Sequence, residues 1–165
     1  MLARLTALAG ALLMLAACGS TPDPAAGPPG GPGGPGGPGG ISSSRFGPGS
    51  QQDLAATAGD RIFFAFDSAE VSPEGQSILQ RQAEWLRRYP NVGVTLEGHC
   101  DERGTREYNL ALGERRAQAA RNVLVALGIP GSRVSTISYG KERPAVPGSS
   151  EDAYAQNRRA QTVVN

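Results

Sequence analysis

The chain has very few residues of the kinds that most enzyme and metal sites need. Its 165 residues include one histidine, His99, and two cysteines, Cys18 and Cys100. A serine or cysteine nucleophile would have to use His99 as its base, but His99 and Cys100 are neighbours, and neighbouring side chains of a strand point to opposite faces. The spacing of zinc ligands is absent, and Asp101 with Glu102 is an isolated pair of adjacent carboxylates. We therefore expect no catalytic site, no metal site and no cofactor.

Long apolar segments and an excess of either charge are also lacking. After the first 17 residues, no run is apolar enough to span a bilayer. The chain has 16 basic and 15 acidic residues, so removal of an N-terminal segment that contains Arg4 would leave equal numbers of each. A balanced charge provides no basic surface for nucleic acid, and no nucleic-acid partner is expected.

Residues 1–17 have the features of an export signal. Arg4 supplies a positive charge, an apolar run follows, and small residues precede Cys18. This arrangement resembles the lipobox of bacterial lipoproteins, in which the cysteine is acylated and becomes the first residue of the mature protein. The resemblance implies a signal peptide at 1–17 and lipidation at Cys18, and Gly19 favours the outer membrane. The alternative is an ordinary secretory peptide with an incidental cysteine.

Composition divides the rest of the chain into a spacer and one domain. Residues 22–49 are dominated by glycine, proline and serine, which cannot bury enough apolar surface to offset the entropy of ordering. Glycine recurs every third residue from 27 to 40, as in collagen, but the run is very short, and a spacer is the favoured interpretation. We predict a lipidated N-terminus and linker at 18–53 and a globular domain at 54–165.

Sequence patterns in the domain alternate between strands and helices. A serine cap, a proline and helical spacing predict a helix over residues 73–89, with the single tryptophan, Trp85, in the core. A second helix is expected over residues 105–127. Strands are expected at 60–66, 92–96, 134–139 and 159–164, with a short helical turn at 153–158. The order β-α-β-α-β-β predicts an α/β (α+β) two-layer sandwich, with both helices on one face of a single sheet where the strands are parallel neighbours.

The turn between the second strand and the second helix carries the candidate binding residues. Asp101 lies in the turn, and Arg116 lies near the apolar stripe of the helix, where a permanent charge is costly unless it is paired. In one interpretation, Arg116 pairs with an acid such as Asp101 or Glu97 and holds the turn. In the other, Arg116 receives a ligand carboxylate while Asp101 takes a ligand ammonium. Asn109 can add amide donors and acceptors, and Thr105 is equally well explained as a helix cap.

Several motifs resemble the signature of OmpA-like peptidoglycan-binding domains. In chain order they are Phe64 to Ser68, Glu97 to Thr105, Tyr108 to Ala117, Ser138 to Ala145 and Asn157 to Ala160. In that family the domain binds the peptide stem of peptidoglycan non-covalently through diaminopimelate, whose free end carries an ammonium and a carboxylate. The resemblance therefore favours the ligand-binding interpretation of the turn.

The resemblance also implies a role for each matching residue. Asp101 matches the family's acid and Arg116 its base. The other matching site residues are Asn109, Asp67, Ser68 and Arg158. Arg103 is a weaker candidate, because an exposed turn arginine is more often solvated, and Cys100 is interpreted as a buried small apolar group.

Together with the lipobox and the spacer, the whole chain resembles the members of this family that belong to the Tol-Pal system. The resemblance implies an outer-membrane lipoprotein whose domain lies in the periplasm and tethers the membrane to the cell wall. It also implies the partners TolB and TolA, and a role in envelope integrity and cell division. Two alternatives stay open: a generic OmpA-like anchor without Tol partners, and a peptidoglycan-processing enzyme.

Overall fold

The computed structural model describes residues 46–165. The expected signal peptide, the lipidation at Cys18 and most of the expected linker lie outside the described residues and stay predictions. The helices of the described part are α1 Gln51–Thr57, α2 Pro73–Arg88, α3 Arg106–Ala126 and α4 Glu151–Asn157. The strands are β1 Arg61–Phe63, β2 Val94–His99, β3 Val134–Gly140 and β4 Arg159–Val164, and a 3-10 turn at Gly131–Arg133 precedes β3. Within residues 46–165, no helix combines the length and hydropathy that crossing a membrane requires.

The four strands form one sheet in the order β1-β4-β2-β3. β2 and β3 are parallel neighbours joined by α3, whereas β4 is antiparallel to both β1 and β2. The predicted α/β class is confirmed. The insertion of β4 between β1 and β2 did not follow from chain order, because an antiparallel strand can return to any place in the sheet that its connection reaches.

The core lies between one face of the sheet and the helices α2 and α3. Side chains that alternate along the strands form its sheet side: Ile62, Val94, Leu96, Val134 and Ala160. Its helical side is formed by Leu79, Ala83, Leu86, Ala117, Ala120 and Leu124. All of these side chains are at most 3% exposed. Burial of this apolar surface is what fixes α3 against β2.

The middle of α3 approaches β2 closely, because both elements carry glycine at the contact. A Cβ atom on Gly98 would lie 1.8 Å from the carbonyl oxygen of Gly113, and one on Gly113 would lie 2.3 Å from Ser138 Oγ. No side chain fits between these backbones. The contact fixes the position of Arg116, which lies three residues after Gly113 in α3, relative to the end of β2.

Helix α1 was not expected, and it begins at Gln51, before the predicted domain start at residue 54. Ser50 caps it by accepting a hydrogen bond from the Asp53 amide at 3.2 Å, but Leu54 is its one large apolar residue. Tertiary contacts hold it: Leu54 is fully buried, and Trp85 Nε1 donates to Asp53 Oδ2 at 3.0 Å. Trp85 is 2% exposed, which confirms its predicted place in the core.

Three other elements differ from the expected ones by more than one residue at an end. β1 ends at Phe63 rather than residue 66, and the chain then turns at Asp67, which has a positive φ of 53°. β2 begins at Val94 and continues to His99, because both of its neighbours still pair with it at Gly98. α4 is a helix of seven residues that begins at Glu151, where a turn at 153–158 was expected.

Candidate functional site

A pocket of about 160 Å³ opens where the end of β2, the start of α3 and the loop after β1 meet. Its lining residues are Phe66, Asp67, Cys100, Asp101, Arg103, Gly104, Tyr108, Asn109, Leu112 and Arg116. The structure thus brings together four of the six ligand-site residues expected from the sequence. The two that do not line the pocket are Ser68 and Arg158.

Arg116 is fully buried and is held by backbone carbonyl groups. Its Nε donates to the carbonyl oxygen of Ser68 at 2.8 Å, and its Nη1 donates to that of His99 at 2.8 Å. Nη2 donates to the carbonyl oxygen of Ala65 at 3.2 Å. The guanidinium therefore ties the loop after β1 to the end of β2, and Ser68 contributes through its backbone.

The charge of Arg116 has no carboxylate partner within the described residues. No carboxylate oxygen there lies within 4.0 Å of its guanidinium, so the expected alternative of a pair with Asp101 or Glu97 is wrong. Burial lowers the pKa of Arg116, and the nearby Cys100 and Asp101 oppose that shift. Each η nitrogen carries a second N–H, and a buried cation beside an open pocket is stabilised when a ligand anion arrives.

Asp101 is also buried, at 4% exposure, but its carboxylate is already engaged. Its Oδ2 accepts from Arg103 Nη2 at 2.7 Å and from Arg158 Nη1 at 3.3 Å. Its Oδ1 accepts from the backbone amide of Arg103 at 3.1 Å. Burial alone would raise the pKa of Asp101, but the hydrogen bonds from Arg103 and Arg158 outweigh it and hold the pKa below its usual value. The site residue expected to take an ammonium is thus an ionised group with two cationic partners.

Arg158 lies behind Asp101 rather than in the pocket. It is 7% exposed, donates from Nε to the carbonyl oxygen of Phe64 at 3.2 Å and lies 2.8 Å from Glu151 Oε1. Through these contacts, Arg158 fixes the position of Asp101 from the side of α4. Its position follows from β4, which places the α4–β4 junction beside the end of β2.

Asp67 and Asn109 shape the two walls of the pocket. Asp67 accepts a hydrogen bond from the hydroxyl of Tyr108, and this bond is the main reason that the pKa of Tyr108 is raised. Asn109 Nδ2 donates to the carbonyl oxygens of Arg103 and Thr105 at 2.7 and 3.1 Å. Thr105 Oγ1 accepts from the Tyr108 amide at 3.2 Å, which confirms its assignment as the cap of α3.

Three residues at the pocket mouth were missed or given little weight in the sequence. Phe66 and Tyr108 are 61% and 46% exposed, and Phe66 was expected inside a strand. Arg103, expected to be solvated, lies with Cζ 4.1 Å from the centre of the Phe66 ring and 4.5 Å from that of Tyr154. Phe66 and Tyr108 both fall within the motifs that carry the family resemblance, which was the only signal for them.

The reactive side chains at and beside the pocket, Cys100 and His99, are buried. Cys100 is 3% exposed, as expected, its Sγ lies 3.4 Å from the carbonyl oxygen of Asn109, and burial raises its pKa. His99 is 1% exposed, and burial, with Arg159 and Arg143 nearby, lowers its pKa to about 4. Among residues 46–165, no group of three or more histidine, cysteine or acidic residues could hold a metal ion. The pocket presents charges and aromatic surface.

Comparisons with known proteins show which family the chain resembles. The OmpA family model matches residues 63–158. The peptidoglycan-associated lipoprotein of Rhizobium meliloti (strain 1021) is 58% identical over 117 residues, which cover 71% of this chain and 66% of that protein. The chain thus spans just under two thirds of that relative. The protein of the same name from Haemophilus influenzae is 39% identical over 153 residues, which cover 93% of this chain and 92% of the relative.

Solved structures give the same answer for the fold. The crystal structure of the peptidoglycan-associated lipoprotein from Burkholderia pseudomallei superposes with a TM-score of 0.63 at 42% identity, over 64% of this chain and 90% of that one. The C-terminal domain of Helicobacter pylori MotB has a TM-score of 0.60 at 22% identity, over 64% and 84% of the two chains, which shows a shared fold alone. The chain belongs to the OmpA family.

Proposed function

We propose that this member of the OmpA family binds peptidoglycan non-covalently through the diaminopimelate of the stem peptide. The free end of that residue carries an ammonium and a carboxylate. In this assignment, Arg116 receives the carboxylate and Asp101 the ammonium, while Asn109, Asp67 and the backbone of Ser68 hold the walls. Arg158 braces Asp101 from behind.

The observation that carries the proposal is the guanidinium of Arg116 at the pocket wall, which is buried and has no carboxylate partner among residues 46–165. Burial of a cation without a counter-ion costs free energy. An arginine whose only role was to donate to three carbonyl groups could do so at the surface, without that cost. A ligand carboxylate that accepts from the remaining η N–H groups would offset that cost with two charge-assisted hydrogen bonds. Similar proteins are named peptidoglycan-associated lipoproteins, which supports peptidoglycan as the class of ligand.

A sedimentation assay with purified cell wall tests the proposal. We expect the full-length protein to pellet with the wall, free diaminopimelate to compete, and Asp101→Asn to weaken binding by about tenfold, since a hydrogen bond to a charged group contributes about 1.5 kcal/mol or more. Asp152→Asn is the matched control, because Asp152 is an exposed acid on α4 that lies outside the pocket.

Two outcomes would overturn this assignment. The ligand is wrong if diaminopimelate fails to release the protein from the wall. The role of Asp101 is wrong if Asp101→Asn and Asp152→Asn pellet alike. Muropeptides that are shortened after incubation would instead favour the enzymatic alternative.

We further propose that the chain is an outer-membrane lipoprotein anchored at Cys18, which tethers that membrane to the wall as part of the Tol-Pal system. Family resemblance is the support for the anchor and for the partners TolB and TolA. Co-purification of TolB with the full-length protein would separate this role from that of a generic anchor. Lipidation at Cys18 is tested by Cys18→Ala, which we expect to be lost from the membrane fraction.

A further inference from the structure

Arg103 occupies the side of Asp101 that faces the pocket. Its Nη2 lies 2.7 Å from Asp101 Oδ2, and its Nη1 lies 3.5 Å from Glu151 Oε2. The rings of Phe66 and Tyr154 contact its guanidinium at 4.1 and 4.5 Å. A cation held by a carboxylate and aromatic rings resembles, in its chemistry, a bound ammonium ligand.

The charges around Asp101 leave no place for a further cation while Arg103 is there. The carboxylate has two guanidinium partners, because Arg158 also lies 3.3 Å from Oδ2. A third positive charge would meet repulsion from both arginines without gaining an unneutralised acid. A ligand ammonium can therefore reach Asp101 only if Arg103 moves away.

We propose that Arg103 holds the ammonium position of the pocket in the ligand-free protein and is displaced from Asp101 when a zwitterionic ligand binds. Arg103 thereby sets the charge requirement of the pocket. This inference rests on the proposed function, because it assumes a ligand with both an ammonium and a carboxylate.

The surroundings of Arg103 are suited to such a displacement. Its side chain is 37% exposed, in contrast to 8% for Arg158, the other partner of Asp101. Its Nε is buried and has no hydrogen-bond partner in the described part of the chain, so the ligand-free position is incompletely satisfied. Glu151, which is 65% exposed, offers a carboxylate at the rim to which the guanidinium can shift. Arg158 stays in place and keeps Asp101 ionised.

The proposal makes opposite predictions for two ligands that differ by one ammonium group. A stem tripeptide that ends in diaminopimelate must displace Arg103, so removal of the Arg103 charge strengthens its binding. The same tripeptide with 2-aminopimelate at that position has the carboxylate for Arg116 but no ammonium for Asp101. In the wild type, this peptide binds beside an Asp101 that Arg103 neutralises. When the Arg103 charge is removed, Asp101 has lost that partner, and the peptide binds less well.

The test compares both tripeptides on full-length wild type and Arg103→Gln by isothermal titration calorimetry. We expect Arg103→Gln to bind the diaminopimelate peptide about fivefold more tightly, the scale of one ion pair at a partly exposed site. We expect it to bind the 2-aminopimelate peptide more weakly, so that the ratio of the two affinities rises by more than fivefold. Arg106→Gln is the matched control: it removes the same charge from a side chain that is 64% exposed and pairs with Glu142 at 3.3 Å, outside the pocket.

A second pair of variants tests the aromatic contact without touching the pocket lining. Tyr154→Leu removes the ring beside Arg103, and Tyr154→Phe keeps it, while both remove the hydroxyl that donates to Glu102 Oε1 at 2.7 Å. We expect a rise in the affinity ratio for Tyr154→Leu only.

Several results would overturn the inference. Weaker binding of both peptides to Arg103→Gln by the same factor would make Arg103 a residue that only holds the turn. A selective loss of the diaminopimelate peptide would mean that Arg103 contacts the ligand directly. If the wild type bound neither peptide, the proposed function would fail, and the inference with it. If the wild type bound the peptides and Arg103→Gln left the ratio of the two affinities unchanged, the inference would be wrong and the proposed function would stand.

Discussion

Arg116 and Arg133 donate to the same kind of acceptor in two regions of the domain. Each is bonded to three backbone carbonyl groups, and neither has a carboxylate within 4.0 Å among the described residues. The acceptors of Arg133 are the carbonyl oxygens of Leu86, Tyr89 and Val92, at 2.7 to 2.9 Å. By bonding pattern alone, the two arginines are equivalent.

Their surroundings differ in charge and in access. The acceptors of Arg133 lie at the C-terminus of α2 and just after it, where the helix end carries partial negative charge, and the side chain is partly exposed. The acceptors of Arg116 lie at a strand end and in a loop, and its side chain is fully buried beside a pocket. The two arginines thus differ not in their carbonyl contacts but in the burial of their charge and in the pocket that lies beside Arg116.

The largest loss of stability is expected from a substitution that disturbs the packing near Arg116 and leaves the surroundings of Arg133 intact. Gly98→Ala would place Cβ 1.8 Å from a backbone oxygen of α3, so the helix must shift, and we expect a loss of at least about 3 kcal/mol in the free energy of unfolding. Gly93→Ala, next to an acceptor of Arg133, meets the flexible tip of Asn165 at 3.2 Å and should cost less than about 1 kcal/mol. Urea denaturation of both variants measures the difference. Equal losses would show that the approach of α3 to β2 yields easily.

Acid should weaken the Arg116 region through His99, whose carbonyl Arg116 holds. His99 is buried and neutral, and its pKa in the folded protein is lowered from 6.5 to about 4. Its contribution to the free energy of unfolding is therefore fully present above pH 6.5. Between pH 6.5 and 4 the unfolded chain binds the proton first, so stability falls by up to about 3 kcal/mol. Arg159 and Arg143 repel the imidazolium, and Glu97, 3.5 Å from Nε2, attracts it.

The control for this pH effect is His99→Leu, which removes the titrating ring from its stack on Tyr139. Carboxylates such as Asp101 also titrate in acid, so the difference between the two stability curves isolates the histidine. We expect the curve of the variant to be flatter between pH 6.5 and 4. Parallel curves would mean that His99 is protonated within the fold.

The smallest effect in free energy is the most specific to function. Arg116→Lys keeps the charge but replaces the planar fork by a compact ammonium, and we expect wall binding to fall about thirtyfold, or about 2 kcal/mol. Arg133→Lys should leave wall binding unchanged and lower the unfolding free energy by about 1 kcal/mol. Sedimentation with cell wall and thermal denaturation together measure both effects. Equal loss of binding in the two variants would remove the distinction between the regions.

Local sequence patterns predicted most of the architecture and part of the site. The Ser72 and Thr105 caps and the alternation of Val94 and Leu96 in β2 are short-range features, and they lie where expected. Helix α1 was missed, because Leu54 is buried by distant parts of the chain rather than by its own helix. Arg103 was underrated for the same reason: its aromatic neighbours Phe66 and Tyr154 are far from it in sequence.

The sequence by itself determined the class of the fold, the balance of charge and the presence of an acid and a base on adjoining elements, because these depend on residue type and short spacing. Only the tertiary structure decided how those charges are paired. Among the residues that the structure describes, it left Arg116 with carbonyl groups instead of a carboxylate, and it gave Asp101 two guanidinium partners. The physical reason is that β4 inserts between β1 and β2, which carries Arg158 to Asp101 across 57 residues of chain. Pairing at that separation is fixed by strand order, which short-range patterns do not encode.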